Sequence, residues 1–338
     1  MEGSKSLYVY VNKYFGKLLD DDTITEVCYN GKGKIWALHD DGRWKDYETD
    51  LDFKSAKAIS KVIASAKNTE ITNAKPILSS TLANGERVQV VMPSAMKEKY
   101  ISLTIRKPSK KKITIEEYEK QGLFLIGENK KKVQAKEEHL RSLYKKEEWK
   151  DFIIEAVEQG KTIIVAGSTG SGKTTFMKTL IDFIPKFSRI ISIEDVEELI
   201  FNEEDNYVQL FYPSEAKSSD SLNATTLLKS CLRMKPDRIV LAELRGAETF
   251  DFINIINSGH GGSITSCHAG SVEETFSRLS MMTLLSDSGQ KIPYHVIQET
   301  LKYAIDIVIH MADTDEGRRI TEIYYKDIDL AKEEKETV

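Results

Sequence analysis

The sequence predicts an α/β protein of two domains, a small α+β domain followed by a larger domain built on a parallel-rich sheet. In the second half, near-continuous apolar strands alternate with helical stretches, which is typical of a parallel sheet covered on both faces. In the first half, short strands joined by tight turns surround one helix, as in an α+β fold. A chain of 338 residues is long enough for two domains. We predict them at 1–108 and 150–338, with a charged linker at 109–149.

The first domain is predicted from strand and turn signals. Asn30-Gly31 separates two apolar runs and marks a hairpin, and Asp41-Gly42 marks the next turn. Apolar residues recur at helical spacing over 53–67, which predicts a helix there. The predicted strands of this domain are 24–29, 34–38, 43–48, 87–92 and 100–107.

The linker is rich in lysine, with runs at 110–112, 130–132 and 145–146. We interpret it as a solvated connection that contains one exposed helix. The alternative is a basic contact with a membrane surface or with nucleic acid. Interleaved acids such as Glu137 and Glu138 weaken that alternative.

A phosphate-binding pattern stands at the start of the second domain. Residues 167–174 read G-x-x-x-x-G-K-[ST] and lie between an apolar strand and a helix-prone segment. Glycines let backbone N–H groups face phosphate oxygens, and the helix N-terminus favours negative charge. Lys173 is predicted to reach the β- and γ-phosphates of ATP, and Thr174 to ligate Mg²⁺. The predicted nucleotide-binding residues of this loop are Gly167, Ser168, Thr169, Gly170, Ser171, Gly172, Lys173, Thr174 and Thr175.

The rest of the second domain alternates strands and helices. The predicted strands are 163–166, 189–193, 238–241, 262–266 and 305–309, and the predicted helices are 175–184, 219–234 and 247–256. With the phosphate-binding loop after the first of these strands, the pattern predicts a RecA-like P-loop core.

Two acidic residues follow apolar strands downstream of the P-loop. Glu194 ends one strand, and Glu243 follows another as a Walker B-like acid. Because ligands bind at the carboxyl ends of parallel strands, we expect both carboxylates beside the phosphates. Each is a candidate Mg²⁺ contact, Glu194 also to position water and Glu243 also as general base, and the sequence does not decide which is the base. Arg233 and Arg245 lie nearby in the sequence and are candidates to meet a phosphate.

A further polar segment contains His260, Cys267 and His268. The spacing does not fit zinc, since the strand neighbours Cys267 and His268 point to opposite faces. We favour a histidine that responds to the state of the nucleotide. The predicted catalytic residues are therefore Lys173, Glu194, Arg233, Glu243 and His268.

The composition excludes several classes of protein. The formal net charge of -5 gives no global basic field for nucleic acid. The first residues lack the apolar stretch of a signal peptide, and no apolar run approaches a membrane span. The three cysteines form no CxxC pair, which favours reduced thiols in the cytosol.

The order of motifs resembles the secretion ATPase superfamily. GSTGSGKTT, RIISIEDVEEL, CLRMKPDRIVLAELRG and SGHGGSITSCHAGS are similar to its Walker A, Asp, Walker B and His boxes. Segments 84–89 and 103–109 resemble N-terminal segments of the VirB11 family, the traffic ATPases of bacterial type IV secretion systems. Ala242 stands where that family often has glycine, Cys267 precedes the His-box histidine, and the linker is long, so the domain connection stays open.

The resemblance implies a homohexameric ring, bound peripherally at the cytoplasmic face of the bacterial inner membrane. It implies ATP hydrolysis that powers pilus assembly or substrate export, with inner-membrane secretion-channel components as partners and no sequence-specific nucleic acid. It also implies that the nucleotide lies between the two domains, where Arg87 and Arg106 of the first domain touch it.

Three alternatives remain at this point. A type II secretion or type IV pilus ATPase shares the core, although the four-cysteine zinc spacing of many type II members is missing here. A nucleic-acid motor is disfavoured by the acidic balance and by the lack of a DNA-binding motif. A nucleotide-gated scaffold without turnover is disfavoured by the presence of both Glu194 and Glu243.

Overall fold

The computed structural model describes residues 2–109, 112–202, 205–217 and 220–330, and it contains two sheets. The helices are α1 (Glu2–Asp20), α2 (Phe53–Ser65), α3 (Ile115–Lys120), α4 (Ile126–Lys145), α5 (Trp149–Glu158), α6 (Lys173–Ile181), α7 (Ala224–Cys231), α8 (Glu248–Asn257), α9 (Val272–Thr283) and α10 (Tyr294–Ala304). The strands are β1 (Ile24–Tyr29), β2 (Lys34–His39), β3 (Trp44–Glu48), β4 (Ile77–Thr81), β5 (Arg87–Val91), β6 (Ser102–Arg106), β7 (Ile163–Gly167), β8 (Ile190–Glu194), β9 (Tyr207–Phe211), β10 (Arg238–Leu244), β11 (Ile264–Cys267), β12 (Ile307–Thr314) and β13 (Gly317–Tyr325). None of these helices is long and apolar enough to cross a membrane.

The first domain is a six-stranded sheet of order β3-β2-β1-β6-β5-β4, with every pairing antiparallel. Phe15 of α1 and Ile59 of α2 are buried in one core with the strands. Asp52 caps α2, because its Oδ1 accepts a hydrogen bond from the Ser55 amide at 2.8 Å. The α+β character is confirmed, while α1 and β4 are elements that the sequence patterns did not predict.

The charged linker contains two helices rather than the one predicted. Helix α3 begins with a capping box, in which the side chains of Thr114 and Glu117 each accept a hydrogen bond from the other's amide. Helix α4 is exposed over its first turns, but its last turns bury Leu140 and Leu143 in one cluster with Phe152 of α5. The end of the linker therefore packs on the second domain instead of being solvated throughout.

The second domain is a seven-stranded sheet of order β13-β12-β7-β11-β10-β8-β9. Its pairings are parallel except that of β12 with β13, which is antiparallel. One core joins the sheet to α7–α10 and another joins it to α4–α6, so both faces are covered as predicted. The parallel order brings the carboxyl ends of β7, β8, β10 and β11 to the same edge of the sheet.

A fully buried arginine lies where the two domains meet. Arg189, just before β8, donates from Nη1 to the Oδ1 atoms of Asn206 at 2.6 Å and Asn30 at 3.1 Å, and from Nε to the Met234 carbonyl at 2.8 Å. Its backbone amide donates to Asp237 Oδ2 at 2.8 Å. Since Asn30 belongs to the first domain and the other three partners to the second, Arg189 links the two domains through its side chain and its backbone amide.

Candidate active site

The P-loop connects a buried strand to a helix, as the sequence predicts. Strand β7 is buried along its length and ends at Gly167, and α6 begins at Lys173. Gly172 has φ +92°, a left-handed conformation that favours glycine. A Cβ on Gly167 would lie 2.2 Å from the Met311 carbonyl oxygen and 2.6 Å from Ser171 Oγ, so only glycine fits at this position. The local sequence thus fixes the turn that aims the helix N-terminus outward.

Lys173 is buried and folded back on the loop. Its Nζ donates to the carbonyl oxygens of Gly167 and Ser168, both at 2.8 Å, and lies 3.4 Å from Nδ1 of His268. Burial lowers the pKa of the Lys173 ammonium, and the nearby Glu243 carboxylate opposes that change. The ammonium is therefore held in place at the start of α6 by the loop's own carbonyl groups.

A cavity of about 300 Å³ opens at the carboxyl edge of the sheet over the P-loop. Of the predicted loop residues, it is lined by Thr169, Gly170, Gly172, Lys173, Thr174 and Thr175. Gly167, Ser168 and Ser171 do not line it, and they form hydrogen bonds within the loop instead. A nucleotide in this cavity would face backbone, hydroxyl and ammonium donors along one wall.

The opposite wall carries the Walker B-like acid in a chain of polar contacts. Glu243, near the end of β10, accepts a hydrogen bond at Oε2 from Arg245 Nε at 2.6 Å. His268 Nε2 lies 2.8 Å from Glu243 Oε1. Arg245 also donates to Asp195, which follows β8. The structure therefore brings Lys173, His268, Glu243, Arg245 and Asp195 together in one continuous group.

Glu194 is not part of this group, which corrects the prediction that it contacts water or Mg²⁺. Its side chain is fully buried and does not line the cavity. Its Oε1 accepts hydrogen bonds from Ser192 Oγ at 2.7 Å and Gln209 Nε2 at 3.2 Å. Its Oε2 accepts from the amides of Glu198 at 2.9 Å and Leu199 at 2.8 Å. The carboxylate thus holds the turn after β8, and the next residue along the chain faces the cavity.

The predicted arginines Arg87, Arg106 and Arg233 lie elsewhere. They line a second cavity of about 380 Å³ together with Lys235 and Glu26, and we call it the arginine cavity. Arg87 and Arg106 are register partners on β5 and β6, and Arg233 comes from the loop after α7. The P-loop cavity is lined by residues between Thr169 and Arg318, so within one chain it takes no lining residue from the first domain.

The polar segment around β11 is divided between two places. His268 lines the P-loop cavity. Cys267 is buried, and burial raises the pKa of its thiol to about 11. His260 lies before β11, with Nδ1 3.5 Å from Ser258 Oγ. Within the described ranges, no group of three or more His, Cys, Asp and Glu side chains is placed to hold a metal.

Several cavity residues, including Asp195 and Arg318, were not among the predicted site residues. Asp195 follows Glu194, and the position of the strand end does not distinguish which of the two carboxylates lines the cavity. Arg318 is the second residue of β13, after the predicted strand 305–309 and outside every box. A search for charged residues in the hairpin next to β7 would have found it, because β12 pairs directly with the P-loop strand.

Comparison with known proteins gives consistent matches over most of the chain. The family model described as "Type II/IV secretion system protein" matches residues 15–319. The type IV secretion system protein VirB11 of Brucella abortus is 45% identical over 314 residues, which cover 91% of this chain and 86% of that protein. The type IV secretion system protein PtlH of Bordetella pertussis is 38% identical over 315 residues, covering 91% of this chain and 92% of that protein. The crystal structure of the VirB11 ATPase from the Brucella suis type IV secretion system, in complex with sulphate, has a TM-score of 0.85 and 40% identity and covers 96% of this chain and 97% of that one.

Proposed function

The chain belongs to the VirB11 family of type II/IV secretion system proteins, and we propose that it hydrolyses ATP in the P-loop cavity to power type IV secretion. The observation that carries the site assignment is the contact between the P-loop and the Walker B-like strand. Lys173 Nζ lies 3.4 Å from His268 Nδ1, and His268 Nε2 lies 2.8 Å from Glu243 Oε1. Phosphate-binding and water-activating groups therefore stand on facing walls of one cavity.

The oxygen atoms in this cavity fit Mg²⁺. The Thr174 hydroxyl and the Glu243 carboxylate both line it, and hydroxyl and carboxylate oxygens are the hard ligands that this ion prefers. Thr174 would hold the ion through its hydroxyl oxygen, and Glu243 would hold it through a carboxylate oxygen. When bound, Mg²⁺ neutralises negative charge on the β- and γ-phosphates.

The protein groups have separate roles in the proposed reaction. The N-terminal amides of α6 and the Lys173 ammonium bind the phosphate chain. Glu243 accepts the proton of the attacking water, and His268 orients that carboxylate. Phosphate oxygens compete with Glu243 for the Arg245 guanidinium, which frees the carboxylate for the water and places positive charge on the phosphoryl group.

The activity is tested by steady-state phosphate release from purified protein with ATP and Mg²⁺. Lys173→Ala should reduce turnover at saturating ATP by a hundredfold or more, because a charge-assisted contact to the phosphates is lost. Lys178→Ala, on the same helix, serves as the matched control and should retain wild-type turnover. Wild-type hydrolysis by the Lys173→Ala protein would show that the reaction takes place elsewhere.

The assembly that we propose is a homohexameric ring in which the arginine cavity of one subunit meets the nucleotide held by a neighbour. Two observations support this proposal. Arg87, Arg106 and Arg233 line a cavity with no described salt bridge of their own, so their charge is available to a phosphate. The P-loop cavity of the same chain draws no residue from the first domain.

Mixing two inactive variants separates contacts within a chain from contacts between chains. Lys173→Ala lacks a working P-loop but keeps its arginines, and the double variant Arg87→Ala/Arg106→Ala keeps its P-loop. If the arginines act on a neighbour, mixed rings contain some complete sites, and ATPase activity should exceed that of either variant alone. Equal activity in the mixture and in the separate variants would contradict the shared site, and light scattering with an ATP analogue would test the ring itself.

We propose a peripheral position at the inner face of the bacterial inner membrane, next to the channel components of the secretion system. Residues 123–126, the last of which begins α4, are exposed and apolar, with Ile126 72% exposed, and the lysines 130–132 follow one turn later. Apolar side chains beside lysines suit an anionic lipid surface. Flotation with anionic vesicles, compared with neutral ones, should recover the wild type and lose a Phe124→Ser/Ile126→Ser variant. Equal recovery of both proteins would place the contact elsewhere.

A further inference from the structure

Arg318 enters the P-loop cavity from outside the recognised motifs. It follows Gly317, which starts β13 with φ +98°, and the Thr314 hydroxyl closes this turn by donating to the Gly317 carbonyl at 2.7 Å. The side chain lies along the P-loop, because a Cβ on Gly172 would be 3.0 Å from Arg318 Cδ and 3.7 Å from its Nη1. Gly172 therefore leaves room for the arginine as well as for its own left-handed backbone.

The charge of Arg318 is not used within the described chain. No described carboxylate forms a salt bridge with it, whereas Arg245 in the same cavity is tied to Glu243 and Asp195. Its neighbour Arg319 lies 3.9 Å from Glu316 and does not line the cavity. Successive side chains of a strand point to opposite faces, so only Arg318 of this pair is aimed at the P-loop.

The two ends of the cavity are defined by the order of the strands. Strand β7 and its P-loop stand in the middle, with β11, β10 and β8 on one side and β12 and β13 on the other. Glu243, His268 and Asp195 all belong to the first side, and Arg318 belongs to the second. A γ-phosphate that reacts with water next to Glu243 must lie on the first side, so the α-phosphate and ribose extend toward Arg318.

We propose that Arg318 binds the α-phosphate of the nucleotide and sets the affinity of the site for ATP and ADP alike. This inference rests on the proposed ATPase function of the P-loop cavity. A guanidinium presents a planar set of donors that suits two oxygens of one phosphate. Because ATP and ADP share the α-phosphate, Arg318 contributes equally to binding both and takes no part in the hydrolytic step.

The test is titration of the full-length protein with fluorescent ADP and with a fluorescent non-hydrolysable ATP analogue, both with Mg²⁺. Arg318→Ala should weaken binding of the two nucleotides by about tenfold each, with their ratio unchanged, as expected for the loss of one charge-assisted contact. The KM of this variant for ATP should rise by a similar factor, because the lost contact belongs to binding. Arg318→Lys should recover part of the affinity, and Arg319→Ala should bind both nucleotides as wild type does.

Three results would overturn the assignment. Unchanged affinity in Arg318→Ala means that the side chain does not touch the nucleotide. Loss confined to the ATP analogue places Arg318 at the γ-phosphate, and lower turnover at saturating ATP places it in the reaction. The wild type separates this failure from failure of the proposed function: if it neither binds ATP nor depends on Lys173 for hydrolysis, the ATPase assignment falls, whereas normal wild-type behaviour confines the error to Arg318.

Discussion

The two cavities of this chain differ in how their charges are balanced. In the P-loop cavity, Arg245 is tied to both Glu243 and Asp195, and Glu243 also meets His268. In the arginine cavity, the cations Arg87, Arg106, Arg233 and Lys235 share the wall with one carboxylate, that of Glu26. The first therefore has its own acid and base groups in place, whereas the second has a surplus of positive charge that suits an anion supplied from outside the chain.

The largest effect should come from replacing the Glu243 carboxylate in the P-loop cavity. Glu243→Gln keeps the shape of the side chain but cannot accept a proton, and it weakens the ion pair with Arg245. We expect turnover at saturating ATP to fall about a thousandfold, while nucleotide affinity changes little. Single-turnover kinetics with a separate binding titration would measure both quantities.

The control for this variant is Glu299→Gln, which removes an exposed carboxylate on α10, away from the P-loop cavity. It should hydrolyse ATP at the wild-type rate. If the turnover of Glu243→Gln is within a few fold of wild type, the contacts of Glu243 with Arg245 and His268 stabilise the fold and do not serve hydrolysis. The difference in charge balance between the two cavities would then not be related to catalysis.

The second prediction concerns the junction on which the arginine cavity is built. Arg189 donates to the Met234 carbonyl, and this holds the 232–235 segment that supplies Leu232, Arg233 and Lys235 to the cavity wall. Arg189→Met leaves the partners of a buried guanidinium unsatisfied, so we expect the free energy of unfolding to fall by about 3 kcal/mol. Urea denaturation measures it, with Lys186→Met at an exposed site three residues earlier as the control.

The same variant tests whether the cavities are independent. Arg189 and its partner Asp237 lie at the amino ends of β8 and β10, whereas the P-loop cavity lies at the carboxyl ends of these strands. Folded Arg189→Met protein should therefore bind nucleotide at the P-loop with wild-type affinity. A parallel loss of nucleotide affinity would instead show that the domain junction acts on the P-loop through these two strands.

The sequence predicts a part of this site well when the residues of that part are neighbours in the chain. The P-loop is read from one continuous stretch, since the glycines, Lys173 and Thr174 are neighbours in the chain. Strand β4 was missed because only Ile77 and Leu78 of its five residues are apolar, which is too few to form a pattern. The position of Arg87 and Arg106 depends on how the domains dock, and that is set by distant contacts such as Gln89 with Ser230.

Glu194 shows a different limit of sequence reasoning. The strand end was predicted correctly, but whether a carboxylate there faces solvent or the protein interior depends on the fold of the following turn. Two backbone amides of that turn and the Ser192 hydroxyl bind Glu194, so the acid is satisfied inside the protein. Asp195 reaches the cavity in its place.

The third prediction tests whether Glu194 stabilises the fold or takes part in hydrolysis. In Glu194→Gln, the side-chain NH₂ group replaces one carboxylate oxygen and faces either the two backbone amides or the Ser192 hydroxyl. Because a buried hydrogen bond is then lost, we expect the free energy of unfolding to fall by about 2 kcal/mol. Turnover per folded molecule should stay within a few fold of wild type, in contrast to Glu243→Gln. Glu197→Gln, an exposed neighbour paired with Lys97, is the control and should change neither quantity. A hundredfold loss of turnover with unchanged stability would return Glu194 to the catalytic group.

The smallest effect is a pH dependence that belongs to the arginine cavity. Glu26 on β1 is buried in its wall, and burial raises the pKa of this carboxyl from 4.5 to about 7. Arg106, Arg189 and Lys235 oppose that shift, and Asp237 adds to it. Between these two pKa values the folded protein holds a proton that the unfolded chain has lost, so stability decreases as pH rises through this window and levels off above about pH 7.

The size of this dependence can be measured against a variant that does not titrate. From pH 6 to pH 8 the wild type should lose about 1 kcal/mol of unfolding free energy relative to Glu26→Gln, because roughly one pKa unit of the shift lies in that interval. Urea denaturation of both proteins at the two pH values gives the difference directly. Below pH 7 the neutral Glu26 also leaves the arginine cavity more positive, so an anion held there should bind more tightly in the wild type at pH 6 than at pH 8. Parallel pH profiles for the wild type and Glu26→Gln would mean that Glu26 is ionised throughout this interval, and that its carboxylate already neutralises part of the surplus charge that distinguishes the two cavities.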